Sequence, residues 1–241
     1  MTRPSPEVEK LAQERLAADE KRITGTRRTS ITLGDAWRAF LRHPSPWMLG
    51  PALALTVAAR VVVGDYRWTD AVAPAALVAA FPFVEWLIHV CVLHWRPRRL
   101  GPVELDSLLA RKHRAHHADP RDIPLVFIPW RALAWIIPVY AVLSFVVFPR
   151  AGLALSFLVS TAALACMYEW THYLVHSDYR PRSKFYRAVW RNHRLHHYKN
   201  EHYWFGVATP GTADRLLGTC PATHEVETSP TVRALHASEA V

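Results

Sequence analysis

The chain reads as an all-α integral membrane protein, with about four transmembrane helices and a histidine-rich dimetal site on their cytoplasmic side. Three features predict this: four long apolar blocks, basic residues lying between and after those blocks, and ten of the 14 histidines gathered into four clusters. Across 241 residues, 51% are hydrophobic, ten are Trp and the formal charge is +9. Beside apolar spans, a basic surplus marks the cytoplasmic side of a membrane. No recognised nucleic-acid motif is present, so no nucleic-acid partner is expected.

Residues 1–45 form a polar, charged arm without an apolar h-region, so no cleavable signal peptide is expected. Within it, Trp37, Phe40 and Leu41 among Arg38 and Arg42 suit a short helix, read either as lying on the membrane surface or as an ordinary solvated helix. The membrane domain spans 46–219. Its apolar blocks run over 47–64, 71–95, 129–148 and 152–175, each long enough for a hydrocarbon core needing about 20 residues. The first block holds Arg60, placed near its far end, where it can snorkel to the opposite interface. The second and fourth blocks, about 37 Å long at ~1.5 Å per residue, exceed the roughly 30 Å of hydrocarbon, so their last turns should protrude. Residues 220–241 read as a polar, loosely packed tail.

The connections set the topology. Only Asp65, Arg67 and Asp70 charge the first link and Arg150 the last, whereas the arm and the segments after Trp95 and after His176 are strongly basic. By the positive-inside rule both termini and the middle connection are cytoplasmic, in the cell membrane of a bacterium or the endoplasmic reticulum of a eukaryote. Cys91, Cys166 and Cys220 are scattered and imply neither a disulfide framework nor a thiolate metal site.

The clusters are His89 with His94, His113 with His116 and His117, His172 with His176, and His193 with His196 and His197. Residues at i, i+3 and i+4 share a helix face, so each His-x-x-His-His triplet aims its rings to one side, as does the i, i+4 pair His172/His176. His89 and His94 lie about 140° apart on an ideal helix and reach a common ion only if the helix ends or loosens between them. A pair followed by a triplet occurs twice, each pair preceded by a Glu-Trp (Glu85-Trp86 and Glu169-Trp170), so the chain reads as two related halves bringing five imidazoles each. Ten imidazoles exceed the needs of one ion and suit two. Held by neutral ligands, two ions keep their positive charge, which favours an electrophilic oxidant or a Lewis acid.

Glu85 and Glu169, one turn before their pairs, are placed to accept a ring N–H and fix its tautomer, or else to be membrane-buried acids paired with arginine. Asp119, Asp122 and Asp214 are further candidates for orienting a ligand or for ion pairs, and His202 is a candidate donor beside the site. His43, His224 and His236 read as ordinary surface or core histidines. Trp86, Trp95, Trp170, Tyr173, Tyr203, Trp204 and Phe205 read as either an acyl entrance or an interfacial aromatic belt.

The set His-x4-His, His-x-x-His-His, His-x3-His, His-x-x-His-His resembles the membrane fatty acid hydroxylase and sterol desaturase superfamily. HRAHHADPRDIPLVFIP (113–129) and HRLHHYKNEHYWFGVATPGTADRLLGT (193–219) are similar to the fatty acid 2-hydroxylase branch. The resemblance, over about 70–219, implies four transmembrane helices under a cytosolic helical cap, a non-haem centre of two iron ions with the ten histidines as ligands, O₂ as co-substrate, and oxidation of an unactivated lipid C–H bond. Zinc can occupy imidazole sites meant for iron. Eukaryotic 2-hydroxylases carry a fused cytochrome b5 domain with His-Pro-Gly-Gly; here only His43-Pro44-Ser45-Pro46 is found. A separate electron donor is therefore implied, cytochrome b5-like or a ferredoxin with its reductase, besides the lipid substrate and membrane lipids. The alternatives are a sterol, carotenoid or other lipid desaturase or oxidase on the same metals and, more distantly, a metal transporter or metal-binding membrane protein. Transport wants ionisable residues spaced through the spans, and their middles are apolar.

Overall fold

The structure, a computed structural model, describes residues 31–236. Residues 1–30 of the predicted arm and 237–241 of the predicted tail lie outside the described residues.

Helix α1 (Leu33–Phe40) starts where Thr32 and Asp35 cap each other's backbone amides, 3.1 Å in each direction. It buries Ala36 and Phe40 and leaves Trp37 half exposed. Phe40 lies against Phe127, Trp170 and Tyr173 with ring centroids 5.0–5.6 Å apart, which docks α1 onto the long helix that follows later in the chain. Helix α2 (Pro44–Val63) opens with Pro44, whose missing N–H costs nothing at a first turn, and stops at Gly64, where φ is +63°. A 3₁₀ turn (Trp68–Ala71) leads into α3 (Val72–Ile88). After a two-stranded hairpin, β1 (Arg98–Leu100) and β2 (Val103–Leu105), come α4 (Leu108–Ala118), α5 (Ile123–Val126), α6 (Trp130–Val147), α7 (Ala151–His176), α8 (Lys184–Tyr198) and α9 (Thr212–Leu216). The hairpin is the one departure from the all-helical expectation among the described residues. Gly101, at φ +60°, makes the turn that pairs Leu100 with Val103.

Four stretches are long and apolar enough to cross a membrane: Pro44–Val63, Trp68–Leu93, Ile123–Val147 and Ala151–His176. Their outer faces carry exposed Leu55, Val62, Trp135, Val146 and similar side chains, a pattern unstable in water and natural in lipid. Helix α7 is the hub, packing against α2, α3 and α6. At the end of the bundle where α2 finishes and α7 begins, Arg60 is buried, not snorkelled. It bonds Asp70 at 2.9 Å and Ser156 at 2.8 Å, and Arg150 bonds Asp70 at 2.8 Å from the other side. The opposite end carries every histidine cluster, because α3 and α7 both finish there. The two 26-residue spans are about 39 Å long at ~1.5 Å per residue and outrun the hydrocarbon.

Candidate metal centre

Both triplets sit on short amphipathic helices that begin with a serine cap. Ser107 accepts the Ala110 amide at 3.0 Å to start α4, and Ser183 accepts the Tyr186 amide at 3.1 Å to start α8. The pairs sit on the last turns of the spans. His172 and His176 stay on regular helix, while α3 widens into a π-turn (His89–Leu93) closed by the His94 amide on the His89 carbonyl, an i to i+5 bond of 3.0 Å. That turn carries His94 round to the side of His89, as the five-residue spacing requires.

Two groups of five imidazoles result. One holds His89, His94, His113, His117 and His196; the other holds His116, His172, His176, His193 and His197, and in each group one nitrogen per ring lies within 4.8 Å of all the others. Each half therefore supplies four rings to its own group and one to the other. The cause is helical phase: i and i+4 differ by about 40°, whereas i+3 diverges from i+4 by about 100°. His116 and His196, at the i+3 positions, cross over.

The donor set fits metal ions. Nε2–Nε2 separations are 3.1 Å for His89–His113 and His94–His196, and 3.2, 3.1 and 3.0 Å for His116–His176, His176–His193 and His193–His197. Adjacent nitrogens at right angles around an ion ~2.1 Å away are about 3.0 Å apart. Moreover, Nδ1 of His89, His117, His176 and His196 donates to the carbonyls of Phe205 (2.6 Å), Val232 (3.0 Å), Pro120 (2.9 Å) and Tyr203 (2.8 Å). A neutral ring has one N–H, so these bonds leave Nε2 of each ring as a bare lone pair turned inward. The buried Nε2 of His117 has no protein partner. A cation at the focus of each group resolves this otherwise costly arrangement. Outside the spans, burial above all holds His94, His113, His116, His193, His196 and His197 well below the ordinary imidazole value, and His117 at about 3, so these rings are neutral at pH 7.

The acids are placed differently from the sequence expectation. Glu85 shares a face with His89, but its carboxylate accepts the amides of Val207 and Ala208. Glu85 and His89 thus meet the same stretch of backbone instead of each other. Glu169 accepts the Ile128 amide at 3.0 Å, and among the described residues neither acid forms a salt bridge with an arginine. Asp119 is exposed and accepts the Arg121 amide at 3.1 Å within its own turn; Asp122 is exposed at the start of α5. Asp214 is buried and accepts the Phe205 and Gly206 amides at 2.8 and 2.9 Å. His202 is exposed, 3.5 Å from Glu201, and belongs to neither group. Of the aromatics, Trp204 is buried and Phe205 lies 5.2–5.5 Å from the rings of His89, His94 and His196, while Trp170 and Tyr173 pack under α1. The orienting groups that sequence reasoning missed are main-chain carbonyls, which leave no side-chain signature. Within 220–236, expected to be loose, residues 229–236 pack against the site and supply one of them.

A family profile and a solved structure match the chain over this region. The sequence profile of the family described as "Fatty acid hydroxylase" matches residues 74–219, which hold all ten clustered histidines. No curated protein matches the chain. Among solved structures, the hydroxylase domain of full-length Scs7p superposes with a TM-score of 0.60 at 20% identity, covering 77% of this chain and 68% of that one, a likeness of fold. With the family profile spanning more than half its length, the chain belongs to the fatty acid hydroxylase family.

Proposed function

We propose that the chain is a membrane lipid hydroxylase that holds two iron ions in its two imidazole groups and inserts oxygen from O₂ into an acyl chain at carbon 2. Family membership supports the lipid hydroxylase reading. The observation that carries the metal reading is the pair of five-nitrogen groups with inward, unprotonated nitrogens. The segments 113–129 and 193–219 support the 2-position. Bound iron supplies the activation of O₂ toward an unreactive C–H bond. The chain's own part is to fix ten neutral rings, four of them through carbonyl acceptors, and to keep water out with Trp204 and Phe205. An apolar cavity of about 330 Å³, lined by Trp37, Phe40, Trp47 and Trp170, lies beside Glu169, one helical turn from His172, and offers room for part of a lipid chain. Electrons come from a separate protein. The basic connections support a cytoplasmic site with both termini on that side.

The test is mass spectrometry of total lipids from cells grown under ¹⁸O₂ with the intact chain or with the His193→Ala/His196→Ala/His197→Ala variant. A lipid gaining one labelled oxygen next to its carbonyl only with the intact chain is the expected result. Loss of two hydrogens without label refutes hydroxylation in favour of desaturation, and identical lipids with substrate and donor supplied refute the enzyme reading.

A further inference from the structure

The C-terminal segment after the 3₁₀ turn Thr223–Glu225 lies beyond the family match, and its sequence, Glu227-Thr228-Ser229-Pro230-Thr231-Val232-Arg233, has neither helical nor strand periodicity. It nonetheless ties the C-terminal ends of the two triplet helices together. On the α8 side, Ser229 donates its amide to the Lys199 carbonyl at 2.8 Å and its hydroxyl to buried Glu201 at 2.9 Å, and the Thr231 hydroxyl donates to the same carboxylate oxygen. On the α4 side, Arg233 donates to the Ala118 carbonyl at 2.7 Å, where a cation also suits the negative end of the helix. The His236 ring donates to the His94 carbonyl at 3.2 Å. Between these anchors Val232, 1% exposed, turns its carbonyl onto Nδ1 of His117 at 3.0 Å.

We infer that residues 229–236 are a strap that positions His117 and thereby sets the metal affinity of one imidazole group, that of His89, His94, His113, His117 and His196. This rests on the two-ion reading above. Val232 is a positioning residue acting through its main chain: its carbonyl holds the His117 proton on Nδ1 and leaves Nε2 for the ion. The anchors Ser229, Thr231 and Glu201 fix where that carbonyl sits. In the other group the His176 ring is held by the Pro120 carbonyl, outside the strap. Loss of such an outer hydrogen-bond partner weakens metal binding by ~10–100-fold.

The experiment loads the detergent-solubilised chain anaerobically with Fe(II) and measures iron per chain and its release to a chelator. The intact chain is compared with a chain ending at Thr228 and with Ser229→Ala/Thr231→Val, which keeps the full length should the shortened chain not fold. Expected is a fall from two ions to about one, or release of one ion ~10–100-fold faster, with the slow ion unchanged. Ser229→Thr/Thr231→Ser, which keeps both hydroxyls, retains two. Adding His117→Ala to the strap variant removes nothing more, whereas adding His193→Ala removes the remaining ion. Two ions with unchanged release in both strap variants, or equal loss from both groups, overturn the strap while leaving the two-ion reading intact. An intact chain that binds no Fe(II) overturns the two-ion reading itself.

Discussion

Asp214→Ala tests how the ring of His89 is held. The Asp214 side chain, 1% exposed, accepts the Phe205 amide (2.8 Å) and the Thr219 hydroxyl (2.7 Å) on one oxygen and the Gly206 amide (2.9 Å) on the other. Alanine leaves two buried amides without an acceptor, at ~1–3 kcal/mol each. Removing a buried carboxylate returns part of that cost, so the net destabilisation is about 2–4 kcal/mol. At ~2–4 °C per kcal/mol for a chain of this size, Tm falls by roughly 4–16 °C. Asp214→Asn keeps the shape and one acceptor and should lose about half as much. The Phe205 carbonyl holds His89 and the Tyr203 carbonyl holds His196, both in one group, whereas Pro120 holds His176 in the other. Iron affinity should therefore drop ~10–100-fold at the first group and little at the second. Thermal unfolding in detergent, followed by circular dichroism and paired with iron content, reads both effects. A large fall in Tm with both ions retained at wild-type affinity would refute the link from Asp214 through the 203–208 segment to the rings.

Gly211 has φ +77°, and a Cβ there would stand 2.8 Å from Asn192 Nδ2, so Gly211→Ala should cost about 2–3 kcal/mol. Gly218, at φ +75° with open space around it, should lose only about 1 kcal/mol on the same change; equal Tm shifts would contradict this. Arg60→Met removes one of two partners of buried Asp70 while Arg150 remains, so a loss of about 1–3 kcal/mol is expected in denaturant unfolding, with iron content unchanged at the far end of the molecule. His116→Ala, although in the first half of the sequence, should deplete the group of His193, so that His116→Ala/His193→Ala loses scarcely more iron than either single variant, whereas His116→Ala/His89→Ala loses both ions. His202→Ala, removing an exposed ring, should leave two ions per chain in the same iron assay.

The spans were legible because span length and hydropathy are sums over some 20 residues, in which no single side chain decides. The predicted 152–175 and the observed Ala151–His176 differ by one residue at each end. The loosening between His89 and His94 was legible for the same kind of reason, since a regular helix cannot put both rings on one side. The phase angle that sends His116 and His196 across to the opposite group was present in the same spacing. It is a relation between two helices, however, and the i, i+3, i+4 rule treats one helix at a time.

The roles of Glu85 and Glu169 were not legible, and the reason bears on the chemistry. Spacing places a carboxylate within a turn of a histidine but cannot say which of two nearby donors takes it, a ring N–H or a backbone amide. In the folded chain the amides of Val207, Ala208 and Ile128 take both acids, because these segments are irregular and buried and have no secondary-structure acceptor. The rings are left to the carbonyls of Phe205, Tyr203, Pro120 and Val232, whose contribution no residue identity announces. A carboxylate on a ligand's outer N–H raises the basicity of the ring and lends negative charge to the metal, whereas a carbonyl orients the ring without adding a charge. Two ions held in these groups would therefore keep nearly their whole positive charge in a buried site. That is the condition under which a metal pair acts as an electrophile toward a substrate that offers no charge, no hydrogen bond and only a C–H bond to attack.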